Sequence, residues 1–229
     1  EGVEIVELHA GHHQAVQWMG LTFNIDTLIA TWITMAIVII IMVLATRSRS
    51  LVPSGIQNMV EALLQALENQ FSPTVGKHWP MVSSLLFTFF LFIFVGNELG
   101  LMPVLKSVTS PTADINTTVA LALCSSISVW IIGIKVKGLS YFKHFVQPYK
   151  AMFILNIFEE LAKPLTLSFR LFGNIIAGEI LLELLYKLPW FVPLPWVWIL
   201  FSLFIGIIQA FIFTVLTTSY LSMALTEEH

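Results

Sequence analysis

The chain has 229 residues, of which 57% are hydrophobic and only 11% charged, and its formal net charge is −3. With a mean hydropathy of +0.85, it carries too few charges to wet the surface of a soluble globule, so it is expected in a membrane. The small negative balance argues against a nucleic-acid partner. The single cysteine, Cys124, excludes an internal disulfide and a Cys-rich metal site, and its apolar surroundings predict a buried, inert thiol.

Residues 1–26 form an N-terminal external segment. Within residues 1–23 there is no basic start followed by an apolar stretch, so no secretion signal is expected there. His9, His12 and His13 resemble a weak metal cluster but fit a solvated tail better. Residues 27–45 are nearly uncharged and long enough to span a bilayer. In residues 55–75 the apolar side chains Ile56, Met59, Val60, Leu63, Leu64 and Leu67 recur at helical spacing, with Gln57, Glu61, Gln65 and Glu68 between them. That pattern predicts an amphipathic helix, lying at the interface or packed on a partner.

Residues 80–96, rich in Phe, and residues 115–134 predict two further spans. Gly96 and Gly100 form a small-xxx-small pattern suited to helix packing, and Gly173 and Gly178 suit close approach of a neighbouring helix. Asp114 stands where either a helix N-cap or a polar path residue would fit. Tryptophans near the span ends are expected as interfacial anchors. Two longer stretches follow, 151–186 and 190–225. A helix of about 36 residues measures roughly 54 Å, against a hydrocarbon core of about 30 Å. These helices must tilt, break or protrude. Pro164 could kink the first, and the Pro-rich turn around 187–195 folds the two into a hairpin.

The fold class is therefore an all-α polytopic membrane protein of one domain. It has about five crossing helices, an amphipathic interfacial helix and two long, steeply tilted C-terminal helices. With the N-terminus outside, the inner loops 46–79 and 135–150 hold Arg47, Arg49, Lys77, Lys135, Lys137, Lys143 and Lys150, whereas the outer segments hold Lys106 and Lys187. This positive-inside bias leaves the C-terminus in the cytoplasm.

Arg170 lies near the middle of the stretch 151–186, where a permanent charge is expensive and demands a function. Glu159, Glu160 and Lys163 lie toward the inner face, and Glu179 and Glu183 toward the outer one. At 100° per residue, Glu159, Lys163, Arg170 and Asn174 fall within about 60° of one another, while Glu179 points roughly opposite to Arg170. Glu159 and Lys163 have the i,i+4 spacing of an ion pair. Gln209 lies near the midpoint of the partner helix, so it is expected beside Arg170, where its carbonyl can accept a hydrogen bond without neutralising the charge.

The string Phe169-Arg-Leu-Phe-Gly-Asn174-Ile-Ile-Ala-Gly-Glu179, followed by Gln209-Ala-Phe-Ile-Phe213, resembles subunit a of the bacterial F-type ATP synthase. So do Ser110-Pro-Thr-Ala-Asp114, Asn97-Glu-Leu-Gly-Leu-Met-Pro103 and Gly20-Leu-Thr-Phe-Asn24, and the likeness covers nearly the whole chain. The resemblance implies a plasma-membrane Fo stator with two offset half-channels carrying H⁺ or Na⁺ to and from carboxylates on a rotating c-ring. Its implied partners are the c-ring, the b subunits of the peripheral stalk and membrane lipids. It also implies that Arg170 is the essential arginine, that Asn174, Glu179 and Asp114 serve the outer path, and that Gln209 sits beside the arginine. Glu183 would be a second outer acid, and Glu159 and Glu160 would match acids near the inner exit. Ser202 stands where some members carry a histidine seven residues before the glutamine, a departure that leaves the outer path to carboxylates, hydroxyls and water. No cofactor is implied.

The chain has no Gly-x-x-x-x-Gly-Lys-Ser/Thr loop, so it is not expected to bind or hydrolyse ATP itself. His-Glu-x-x-His, Cys-x-x-Cys and Gly-x-Ser-x-Gly are missing as well. A self-contained secondary transporter is the competing class, but residues 1–114 and 115–229 do not echo one another as transporter halves often do.

Overall fold

The structure is a computed structural model. It describes residues 15–18, 21–47, 55–101, 110–138, 141, 153–189 and 193–226. The histidines at 9, 12 and 13, and Arg49, Lys106, Lys143 and Lys150 of the charge count, lie outside the described residues.

Two short strands come first, β1 (Ala15–Trp18) and β2 (Leu21–Asn24), paired antiparallel with Ala15 opposite Asn24 and Trp18 opposite Leu21. Six α-helices follow among the described residues: α1 (Ile25–Arg47), α2 (Gly55–Val75), α3 (Trp79–Leu101), α4 (Ile115–Lys137), α5 (Phe153–Leu185) and α6 (Leu194–Leu225). The chain is thus all-α apart from the small hairpin, which the sequence reading did not anticipate. Among the described residues, five helical segments are long and apolar enough to cross a membrane; in one of them α2 runs through a 3-10 turn at Gly76–His78 into α3.

Helices α5 and α6, with 33 and 32 residues, measure roughly 50 Å at 1.5 Å per residue. Helix α5 continues through Pro164, so the proline ends no helix here. The excess over a bilayer must be taken up by tilt or protrusion.

Helices in lipid gain little from hydrophobic transfer against one another, so small and hydroxylated side chains mark the packed faces. Helix α6 shows this best. Ser202, Gly206, Gln209, Ala210, Phe213, Thr214, Thr217, Thr218 and Leu221 form its buried stripe, while Trp196, Leu200, Phe204 and Ile207 face outward. Buried hydroxyls are satisfied by the carbonyl one turn back: Thr214 donates to Ala210, Thr217 to Phe213 and Thr218 to Thr214. Helix α3 packs most extensively on α6, and α4 on α5 and α6. Phe89 meets Phe213 edge-on at 5.7 Å, and Ser125 and Thr217 share a hydrogen bond of 2.9 Å between α4 and α6.

Three expectations are corrected. Cys124 is exposed, because α4 turns Ala122, Ser125, Ser126 and Val129 inward and leaves position 124 on the opposite side. The buried face of α2 carries Gln57, Val60, Leu67 and Phe71, whereas Ile56 and Met59 are exposed. The first turn is rotated from the apolar stripe because Gln57 donates to Glu61 and can be buried at little cost. Trp79, Trp130 and Trp198 are more than interfacial anchors, since each donates a hydrogen bond within the bundle, to Glu68, Glu160 and the Gly178 carbonyl respectively.

Candidate functional site

The segment between α3 and α4 builds one end of the site. Ser110 caps a 3-10 turn at Pro111–Ala113 and donates to the Gly96 carbonyl at 2.9 Å. Thr112 donates to Asn97 Oδ1 at 2.6 Å, and the Asn97 amide donates to the Gly206 carbonyl at 3.3 Å. Gly96 and Gly100 permit this fold-back: a Cβ at Gly96 would stand 3.2 Å from Pro111, and one at Gly100 would collide with Ser110. Their partner is this segment as much as a helix. Gly173 has open space around it, and a Cβ at Gly178 would only touch Ser202, at 3.9 Å.

Asp114 caps α4 with Oδ1, which accepts from the Asn116 amide at 2.8 Å and from its side chain at 3.0 Å. Its Oδ2 accepts from Asn24 at 2.6 Å and Thr27 at 3.0 Å. Asp114 therefore clasps β2 and α1 to α4. It does not line the cavity described next.

Between α3, α5 and α6 lies a cavity of about 200 Å³, lined among others by Asn97, Ser110, Asn174, Glu179, Trp198 and Ser202. Three residues singled out in the sequence, Asn174, Glu179 and Ser202, thus meet in one place. Asn174 donates to Gln209 Oε1 at 2.7 Å. Gln209 is buried and Arg170 exposed, and the glutamine accepts from Asn174, one turn beyond the arginine, rather than from the guanidinium. Glu183, half-buried and one turn past Glu179, does not line the cavity.

Arg170 stands on the outer surface of α5, halfway along it, with exposed Leu161, Leu165 and Phe169 nearby in sequence. No carboxylate pairs with it among the described residues.

Toward the other end of α5, Glu160 accepts from Trp130 Nε1 and from Lys163 Nζ, each at 2.6 Å. The Lys163 pair is with Glu160 at i,i+3, not with Glu159 at i,i+4. Trp130 on α4 draws Glu160 inward, and Glu159 is left exposed. Lys163 also sits 5.5 Å from the Tyr220 ring centroid. Tyr141, buried beside this group and packed against Gly133, has its phenol pushed up to about 12 by burial and then by the Glu160 charge. Tyr141, Glu160 and Lys163 line a small cavity of about 20 Å³. No cluster of metal-ligating side chains occurs among the described residues.

Sequence reasoning gave no channel role to Asn97 or Glu98 and read Trp198 only as an interfacial anchor. The available signal was Glu98 itself, an acid set just past the expected end of the Phe-rich span.

A family model described as ATP synthase A chain matches residues 28–222. A protein named ATP synthase subunit a, from Acidothermus cellulolyticus, is 39% identical over 226 residues, covering 96% of this chain and 83% of that relative. A full-length match of this kind, on a bundle of apolar helices, settles the kinship: the chain belongs to the ATP synthase A chain family, multi-pass membrane components of the Fo sector that are not themselves catalytic.

Proposed function

We propose that this chain is the ion-translocating stator of a rotary ATP synthase, and that Arg170 is the fixed charge past which the carboxylates of a c-ring move. The observation that carries this reading is Arg170 itself, a permanent cation halfway along a spanning helix, exposed on the chain's own surface. Such a charge is too costly to leave in lipid. A second protein surface that brings carboxylates to it removes the difficulty. A rotor carboxylate in apolar surroundings prefers its protonated form, and an opposite charge within about 4–6 Å favours ionisation. Each passing acid therefore releases its ion at Arg170 and must take up another before re-entering lipid.

The path is completed by two half-channels that meet the rotor on either side of the arginine. The outer one uses the cavity at Asn174, Glu179 and Ser202, with Gln209 holding Asn174 in place. The inner one runs along the exposed face of Glu159, with Glu160 anchored beside it by Trp130 and Lys163. Offset in this way, the channels convert a membrane potential worth about 2.3 kcal/mol per charge per 100 mV into rotation. The ion is H⁺ or Na⁺. The N-terminus lies outside and the C-terminus in the cytoplasm, and the b subunits hold the stator against torque.

Arg170→Ala in the assembled complex is the test. ATP-driven ion pumping into vesicles is expected to be abolished while the c-ring still co-purifies, with passive leakage increased. A normally assembled variant that pumps at the wild-type rate would overturn the reading.

A further inference from the structure

Glu98 lies near the end of α3, and its Oε1 is buried without a hydrogen-bond partner among the described residues. The space it occupies is made by Gly206 on α6. A Cβ there would stand 2.7 Å from Glu98 Oε1 and 3.4 Å from the Asn97 Cβ. One turn before Gly206, roughly 6 Å along the helix, Ser202 lines the outer cavity with its Oγ buried and likewise without a partner. Most buried polar atoms in this bundle are satisfied, even the Thr hydroxyls, which bond to their own helix. Two adjacent exceptions, both oxygens, therefore need a reason. Gly206, against which Glu98 Oε1 lies, and Ser202 stand one turn apart on α6, a spacing that suits a bridging water, which donates to a carboxylate and exchanges protons with a hydroxyl.

We propose that Glu98 is an ion-exchanging carboxylate of the outer half-channel, connected through water and Ser202 to the cavity at Glu179 and Asn174. The inference rests on the stator reading above. Glu98 takes a proton from the outer water, becoming neutral, and returns it toward Asn174 and the rotor acid, becoming a carboxylate again. Nothing is oxidised or consumed. Gly206 leaves the room that the carboxylate occupies, since a Cβ there would displace Glu98 Oε1.

The test uses the whole ATP synthase in vesicles, with its water-soluble catalytic sector stripped off to read passive ion flux. Glu98→Gln keeps the shape and removes the exchangeable proton, and flux is expected to fall about tenfold or more, with Glu98→Asp retaining a larger share. Wild-type flux in an assembled Glu98→Gln variant overturns the proposal. Should that variant fail to assemble, Glu98→Cys in a Cys124→Ser background answers the same question. Labelling by a membrane-impermeant thiol reagent from the outer side is expected, and complete protection overturns the proposal. Arg170→Ala measured in parallel separates the two ideas: if it stops pumping while Glu98→Gln conducts normally, only the role of Glu98 falls.

Discussion

The two ends of α5 set their carboxylates in different surroundings. Toward its N-terminal end, Glu160 has both oxygens engaged, one by the Trp130 indole and one by the Lys163 ammonium, beside a cavity of about 20 Å³. Toward its C-terminal end, Glu179 opens onto a cavity of about 200 Å³ that also receives the Ser202 hydroxyl, which has no hydrogen-bond partner among the described residues. A carboxylate held by two short charge-assisted bonds resists movement. One that faces a cavity of this size, with Asn97, Ser110, Asn174 and Ser202 among its lining residues, can exchange with water. Under the stator reading proposed above, the Glu160 cluster fixes the bundle and the Glu179 cavity passes ions.

Glu179→Gln should give the largest effect. It preserves the shape of the cavity lining and removes the exchangeable group, so passive flux is expected to drop about tenfold or more while the melting temperature of the complex in detergent stays near wild type. A wild-type flux would break the comparison on its outer side.

Lys163→Met tests the inner side, with the reverse signature. Glu160 would keep the Trp130 bond but lose its counter-charge, leaving a largely buried carboxylate uncompensated at a cost of about 3 kcal/mol. Thermal melting should register the loss, and adding Glu160→Gln should restore much of it. If the single variant melts normally yet conducts poorly, the inner cluster belongs to the ion path instead.

That contrast was only half legible in the sequence. The spans could be read from apolar run length, and α2 was bounded as the structure has it, because a membrane imposes its thickness directly on the chain. Arg170, Asn174 and Glu179 could be singled out because polar groups in a long apolar helix are conspicuous, whereas Ser202 came only from the family resemblance. Their partners could not. Asn97 and Glu98 looked like the end of a span. They are helical because Asn97 is satisfied by Gly206, 109 residues away, and by Thr112. Nothing local announces such bonds. Helical spacing allows Lys163 to reach either Glu159 or Glu160, and the choice is made by Trp130 on another helix. Matching midpoints brought Gln209 to within one turn of Arg170, but a single turn decides whether the bond goes to the arginine or to Asn174. The four-residue strands of the hairpin were too short to carry a periodicity.

The smallest effect concerns Tyr141 and reports on the charge of Glu160. Burial and the neighbouring Glu160 carboxylate push its phenol from 10.0 up to about 12. Below pH 10 the phenol is neutral whether the chain is folded or unfolded, so its contribution to stability is fully present. Between pH 10 and about 12 the unfolded chain ionises while the folded one does not, so stability falls as pH rises; above that it falls no further on this account. Tyr141→Phe should therefore flatten the fall in melting temperature across that window. Glu160→Gln should flatten it only in part, because desolvation is the larger cause and remains. If Glu160→Gln left the fall unchanged, the carboxylate would not be charged beside Tyr141, and the picture of an inner cluster locked by a standing ion pair would have to be given up.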